Sequence, residues 1–226
     1  MNDNEWEAFQ LPNLPLLRCK LSDDIVKYLW DCIGDAADIN KSAKSHLAGN
    51  ISDSLYLDDK DDYFFNTILK DICTKYICEW SQFGNTFRNT GSNFKMDELK
   101  MREFWVNSQR QTEFNPTHNH GGVLSFVVWL KIPTHWKDQH ELPIAKTSNT
   151  PMASDFQLLF TDILGSINGF SVPMSSDMEG QMCVFPSSLI HQVYPFYECD
   201  EDRISISGNL YFDPDVLHEI RENEYN

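Results

Sequence analysis

Residues 113–133 read E-F-N-P-T-H-N-H-G-G-V-L-S-F-V-V-W-L-K-I-P, and this stretch constrains the fold more than any other. The run 123–132 is rich in β-branched and aromatic residues, which favour a pleated, half-buried strand. Directly before it stand two histidines, His118 and His120, two positions apart. In an extended chain residues at i and i+2 share a face. The spacing predicts a strand that begins at His118 and continues through 123–132, with both imidazoles aimed at one point on the rim of a sheet. Such a pair begins a metal site and requires a third ligand from elsewhere in the chain.

From residue 99 the pattern keeps the period of strands. K-M-R-E-F-W-V-N-S places Arg102, Phe104 and Val106 on one face and Met101, Glu103, Trp105 and Asn107 on the other. Further strands are expected at 156–160, in part of 170–173, in Q-M-C-V-F-P after Gly180, at 191–196 and at 203–212. Seven or eight short strands after two helices is the layout of jelly rolls and related barrels. The polar stretch 133–154 reads as a long insertion, of a length that commonly carries function or disorder. Its His135 and His140 are expected to face solvent, as are His46 and His218. Cys183 lies inside an apolar strand and reads as core, not as a nucleophile. Ser187 and Ser188 follow Pro186 in a turn, and no Gly-x-Ser-x-Gly elbow is present.

Ahead of the strands, two prolines three apart in L-P-N-L-P-L-L predict an extended segment over 1–20. Ser22 reads as an N-cap, with Asp23 and Asp24 in the first turn of a helix that Gly34 ends after Ile33. Residues 34–62 are polar and loop-like. A second helix is expected from 61 to 83, with Phe64, Phe65, Ile68, Leu69, Ile72, Tyr76, Ile77 and Trp80 on its apolar face. Both helices should lean on one sheet from outside. Residues 84–98 read as a surface connection. A single domain over 1–226 is expected: a helical support region (1–98), a jelly-roll core (99–212) and a polar tail (213–226).

The chain carries 34 acidic against 18 basic residues, a net charge of −16. Such a surface repels phosphate backbones, which argues against a nucleic-acid partner. The acidic runs 58–62 and 200–202 read as solvated loops. No apolar run reaches the roughly 18 residues of a membrane span. Cys19, Cys32, Cys73, Cys78, Cys183 and Cys199 include no C-x-x-C pair and read as free thiols. Together with an acidic N-terminus unlike a signal peptide, they point to a reducing cytoplasm.

The third ligand candidate is His191, in C-V-F-P-S-S-L-I-H-Q-V-Y-P-F, and Arg203 follows in D-R-I-S-I-S-G-N. With a turn at 200–202, the two are expected on adjacent antiparallel strands, both facing the barrel interior. Three protein ligands on one face of an octahedral iron leave three positions open, the pattern of non-haem Fe(II) oxygenases. A 2-oxo acid can fill two and dioxygen the third. The far carboxylate of that acid then needs a cation deep in the barrel. Arginine suits it, because its planar fork binds carboxylate bidentately and stays charged. Ser205, two residues on, can add a hydroxyl. Two alternatives stand: an ion pair of Arg203 with Asp200 or Asp202, and a substrate-binding or supporting place for His120.

The H-x-H pair, F-P-x-x-L-x-H-x-V-x-P-F and R-I-S-I-S-G-N together resemble the 2-oxoglutarate/Fe(II)-dependent oxygenase superfamily. They look closest to oxygenases of tailed bacteriophages of marine bacteria, themselves distantly similar to prolyl hydroxylases; L-A-G-N-I at 47–51 also looks like that group. The resemblance covers roughly 99–212. It implies a mainly β, double-stranded β-helix (jelly-roll) fold with N-terminal helices packed outside the sheet. It implies Fe(II) and 2-oxoglutarate as cofactors and a hydroxylase that couples 2-oxoglutarate decarboxylation to C–H oxidation. By motif match His118 and His191 are metal ligands and Arg203 binds the C5 carboxylate. Asn107 takes a position that touches the cosubstrate, and Trp129 stands where some relatives place a tyrosine. One departure matters: the superfamily usually shows His-x-Asp or His-x-Glu, and here the third position is His120. A neutral imidazole leaves one more positive charge on the metal. Three-histidine iron sites occur in cupin-type dioxygenases that do not use 2-oxoglutarate. A cupin-like metal dioxygenase and a non-catalytic β-barrel binding module therefore remain the rival readings. The acidic surface favours a small molecule or a basic peptide as substrate, and nothing in the chain specifies an oligomeric state.

Overall fold

The strands after residue 99 pair in the interleaved order of a jelly roll. In a computed structural model of the chain, residues 16–39, 41–44, 48–79 and 99–212 are described. β1 (Leu17–Lys20), β8 (Gln181–Pro186), β5 (Leu124–Lys131), β10 (Arg203–Phe212), β3 (Leu99–Gln109) and β2 (Asp53–Tyr56) form one sheet in that order. β4 (Asn115–His118), β9 (Ile190–Val193), β6 (Phe156–Thr161) and β7 (Ile167–Val172) form the second. Every pairing is antiparallel. The protein is thus mainly β, a double-stranded β-helix whose large sheet gains an edge strand on each side.

The central strand β5 shows why this sequence needs two layers around the large sheet. Phe126, Val128 and Leu130 enter a core shared with the helices. Val127 and Trp129, on the other face, enter the core between the sheets with Phe156, Leu158 and Phe185. A strand buried on both faces requires a near-continuous apolar run, which 123–132 supplies but for Ser125 and Lys131. α1 (Asp23–Ile39) contributes Ile25 and Leu29 to the outer core. The second helical segment contributes Phe64, Phe65 and Leu69 through a π-turn (Phe65–Leu69), then Cys73 and Tyr76 through α2 (Lys70–Glu79). No helix among the described residues is long and apolar enough to cross a membrane.

Several expectations change. α1 runs through Gly34 to Ile39, because Cys32 and Ala36 continue the buried stripe of Ile25 and Leu29. That packing offsets the roughly 1 kcal/mol that an exposed helical glycine costs relative to alanine. The loop-like region 34–62 contains β2. The acidic run 58–62 is not all solvated loop. Asp59 accepts hydrogen bonds from the Phe64 and Phe65 amides at 2.8 and 2.9 Å and from the Tyr28 hydroxyl at 2.7 Å, fastening the second helical segment to α1. On β3 the alternation holds from Glu103 to Asn107. A bulge opposite Asn209 and Leu210 then turns Met101 to the outer core. His118 and the run 123–132 are not one strand: β4 and β5 lie in different sheets, separated by a turn at 119–122. The insertion 133–154 holds a short helix, α3 (Trp136–Glu141). Trp80, His46, His218, the connection 84–98 and the tail from 213 lie outside the described residues.

Candidate metal and cosubstrate site

His118 and His191 meet because the register of β4 on β9 makes them direct cross-strand partners. Opposed residues on paired strands bring their Cβ atoms within about 5 Å, and the two ring centroids lie 4.2 Å apart. His120 arrives differently. It sits beyond the end of β4, in the turn, with its amide donating to the Ser187 carbonyl at 2.9 Å. Gly122 makes that turn possible: its φ is +93°, and a Cβ there would lie 2.6 Å from the Leu210 carbonyl oxygen. The His120 ring ends 5.0 Å from that of His118 and 4.9 Å from that of His191. One nitrogen from each of the three imidazoles lies within 4.8 Å of the other two.

The tautomers follow from the partners. His118 Nδ1 is 2.7 Å from the Pro116 carbonyl and His191 Nδ1 is 2.9 Å from that of Leu189. A carbonyl only accepts, so each Nδ1 carries the proton and each Nε2 keeps its lone pair. Metal-binding histidines are commonly oriented in this way. The Asn115 amide approaches His118 Nε2 at 3.3 Å, a long contact that a cation would replace. Phe156 and Phe185 pack on His191 and Trp105 on His120. Burial holds all three imidazoles below their ordinary range, His120 down to about 4 and His191 down to about 3, and the neighbouring His118 pushes the same way on both. At neutral pH the cluster is therefore uncharged and its lone pairs are free, as metal binding requires.

The same cavity, about 100 Å³ in volume, is also lined by Arg203, Ser205, Asn107 and Trp129. The last three form one rung: Ser205 on β10 pairs with Asn107 on β3 and with Trp129 on β5. Arg203 is 2% exposed. It lies on the large sheet and His191 on the small one, so the two face each other across the sandwich and are not on adjacent strands as expected. Neither Asp200 nor Asp202 partners Arg203: Asp200 accepts from Gln111, and Asp202 lies 4.0 Å from Arg110. Instead Nη2 donates to Ser154 Oγ at 2.5 Å, Nη1 reaches Gln109 Oε1 at 3.5 Å, and the guanidinium lies 5.0 Å from the centre of the Phe196 ring. Burial pushes its pKa down to about 10, against the pull of the nearby Asp155 carboxylate, so it stays a cation.

Sequence reasoning missed the group behind Arg203. Ser154 is fully buried with φ +75°, a conformation that non-glycine residues hold only where the surroundings enforce it. Asp155 is buried beside it, its carboxyl pushed up to about 6 by burial, while His140 and Arg203 favour its charged form. His140 is not solvent-facing: its side chain is 15% exposed, and its Nε2 lies 3.3 Å from Asp155 Oδ1. His135 caps α3 by accepting from the Lys137 amide. Cys183 belongs to the core, its thiol pushed up to about 12 by burial. The available signal for the missed group was a polar Ser-Asp step immediately before an apolar strand.

Four buried polar atoms in the cavity wall have no hydrogen-bond partner among the described residues: Arg203 Nε, Asn107 Oδ1, Asn115 Oδ1 and Trp105 Nε1. Each such atom costs about 1–3 kcal/mol if left unsatisfied. Together they fit a polar ligand, with a donor on Arg203 for a carboxylate and a nitrogen-only donor set for a borderline metal such as Fe(II).

A jelly roll whose cavity gathers three imidazoles and a buried guanidinium has the donor set for a metal ion and an anionic ligand. Residues 103–209 match the family model described as "Putative 2OG-Fe(II) oxygenase". Over this core, a little under half of the chain, it is similar to the 2-oxoglutarate/Fe(II)-dependent oxygenases, enzymes that use Fe(II) and 2-oxoglutarate. Among solved structures it is similar to a Pseudomonas putida prolyl-4-hydroxylase, at 14% identity over 87% of this chain and 92% of that one, TM-score 0.45. It is also similar to a Trichoplax adhaerens prolyl hydroxylase in complex with a hypoxia-inducible-factor peptide fragment, at 12% identity over 90% and 86%, TM-score 0.46. A third is the α-ketoglutarate-dependent carbocyclase SnoK of nogalamycin biosynthesis, at 9% identity over 88% and 79%, TM-score 0.48. A comparison with curated proteins gives no match.

Proposed function

We propose that His118, His120 and His191 hold the Fe(II), that Arg203 binds the far carboxylate of 2-oxoglutarate, and that the enzyme is a hydroxylase. The observation that carries this is the single cavity shared by three neutral, convergent imidazoles and a buried guanidinium with an unsatisfied Nε–H. Iron, when bound, supplies the activation of dioxygen: 2-oxoglutarate, O₂ and a substrate C–H give succinate, CO₂ and the C–OH, one oxygen atom going to each organic product. The protein's own residues do the rest. The Pro116 and Leu189 carbonyls hold two imidazoles in the ligating tautomer. Ser154 and Phe196 fix the guanidinium. Ser205, Asn107 and Trp129 present a hydroxyl, an amide and an indole wall to the cosubstrate on one rung. The aromatic rings around His191 keep water from the metal.

The three-histidine ligand set favours a second reading, a cupin-like dioxygenase that takes its substrate directly on the metal. The buried arginine then serves only as the cationic neighbour of Asp155. One experiment separates the two. Anaerobic protein reconstituted with Fe(II) is titrated with 2-oxoglutarate, then exposed to air with ascorbate while succinate is measured. Stoichiometric binding and slow succinate formation are expected. A protein that binds Fe(II) but neither binds nor turns over 2-oxoglutarate belongs to the second class. A protein that binds no metal is a binding module. The substrate is a small molecule or a peptide, and nucleic acid is disfavoured by the net charge of −16. Free thiols at Cys19, Cys32, Cys73, Cys183 and Cys199 suit a reducing cytoplasm, that of the host if the gene is carried by a phage.

A further inference from the structure

A second cavity lies on the other side of His120. Its volume is about 180 Å³, and Tyr56, Glu103, Trp105, His120, Asn209 and Tyr211 build most of its wall. Trp105 and His120 also line the first cavity, so the two cavities share these side chains as a wall. Strand pairing sets its composition. Glu103 and Trp105 share the inner face of β3, Tyr56 is the partner of Trp105 on β2, and Asn209 is the partner of Glu103 on β10. Gly121 leaves room for the Tyr211 hydroxyl, which would lie 2.9 Å from a Cβ there.

The chemistry of this wall suits a cation. Glu103 is acidic, and no lysine or arginine stands among the described lining residues. The Asn209 amide and the Tyr211 hydroxyl, the latter at 3.2 Å, both donate to Glu103 Oε2. A carboxylate has about four acceptor sites, so these bonds aim the group and leave the other oxygen with capacity for a ligand. Around it stand the rings of Tyr56, Trp105 and Tyr211, whose faces attract cations. Tyr56 already holds one cation over its ring, outside the chamber's lining: Lys41 Nζ lies 5.3 Å from the ring centre. Burial and then the Glu103 charge raise the pKa of both phenols.

We propose that this chamber receives the substrate, and that the substrate presents an ammonium or guanidinium group to Glu103 between Tyr56, Trp105 and Tyr211, with the carbon to be oxidised held beside His120. The assignment rests on the preceding one, which places iron and 2-oxoglutarate in the first cavity. The chamber is smaller than the roughly 300–1,000 Å³ of drug-sized sites, so it takes one basic side chain or a small amine. The net charge of −16 draws such a ligand in from solution.

The test titrates two neutral-backbone probes into anaerobic protein loaded with Mn(II) and 2-oxoglutarate. N-acetyl-lysine methylamide carries the cation, and N-acetyl-norleucine methylamide has a similar chain without it. The lysine probe is expected to bind at least about tenfold more tightly. Glu103→Gln, which keeps the shape and the hydrogen-bonding group, is expected to abolish that preference, and Tyr56→Leu to reduce it about threefold. Equal binding of both probes, binding of neither, or a preference that survives in Glu103→Gln overturns the proposal. Failure of Mn(II) or 2-oxoglutarate to bind refutes the first-cavity assignment instead. The same probe pair in metal-free protein then still reports whether the chamber selects a cation.

Discussion

Replacing Arg203 by lysine tests the cosubstrate assignment at its most demanding point. The guanidinium has five N–H donors. Ser154 takes one at 2.5 Å, Gln109 accepts weakly at 3.5 Å, and Nε–H is buried without a partner. That leaves enough donors for a two-pronged grip on a carboxylate. Lysine keeps a positive charge opposite Asp155, so the buried carboxylate does not lose its cationic neighbour and the fold should hold. It replaces two parallel contacts by one. Loss of one charge-assisted hydrogen bond costs about 1.5–3 kcal/mol, which is about 10- to 150-fold in Kd. The assay is calorimetric titration of 2-oxoglutarate into Mn(II)-loaded Arg203→Lys, with Mn(II) affinity and thermal unfolding measured alongside. The expected result is weakened 2-oxoglutarate binding with metal affinity retained. A well-folded Arg203→Lys protein that binds 2-oxoglutarate as tightly as the parent refutes the assignment. So does a parallel loss of metal, because Arg203 would then be serving the imidazole cluster.

Three further outcomes are expected. His120→Asp supplies the carboxylate that the superfamily usually carries at this position, and its negative charge should raise Mn(II) affinity in a competition titration; loss of binding would show that His120 is not interchangeable with a carboxylate ligand. Gly122→Ala places a Cβ 2.6 Å from the Leu210 carbonyl oxygen at φ +93°. It should cost at least about 1–2 kcal/mol, seen as a lower Tm, together with weaker metal binding through displacement of His120. The metal-free protein should lose stability on acidification from about pH 6 to about pH 4. Unfolded histidines titrate near about 6.5, whereas burial holds His120 down to about 4 and His191 down to about 3. Unfolding in this window therefore takes up protons at both. Asp155, raised to about 6 by burial, gives one back. His118, also lowered by burial, adds in the same direction, so the net uptake is at least about one proton, a loss of at least about 1.4 kcal/mol per pH unit. Thermal unfolding followed across this range with the metal chelated checks it, and a Tm that stays level or rises on acidification contradicts the burial assigned to these groups.

The local patterns of this chain were informative wherever the physics is local. Alternation on β3 put Trp105 and Asn107 on the inner face, and the apolar run of β5 marked a strand covered on both sides. The i, i+2 offset of His118 and His120 pointed to one target, although His120 reaches it from a turn that Gly122 bends and not from a strand. The helix end at Gly34 was misread because burial of Cys32 and Ala36 outweighs a propensity term of about 1 kcal/mol.

Residue types and short spacings by themselves pointed to a β-rich barrel with three candidate metal-ligating histidines and an arginine suited to a carboxylate. Only the tertiary structure decided which atoms meet. His118 faces His191 through the register of β4 on β9, and Arg203 faces them from the opposite sheet. Asp155 and His140 stand behind the arginine, and Glu103 opens a second chamber beside His120. Periodicity tells which way a side chain points within its own element. Strand register and sheet packing, set by pairing between distant segments, determine what it finds there.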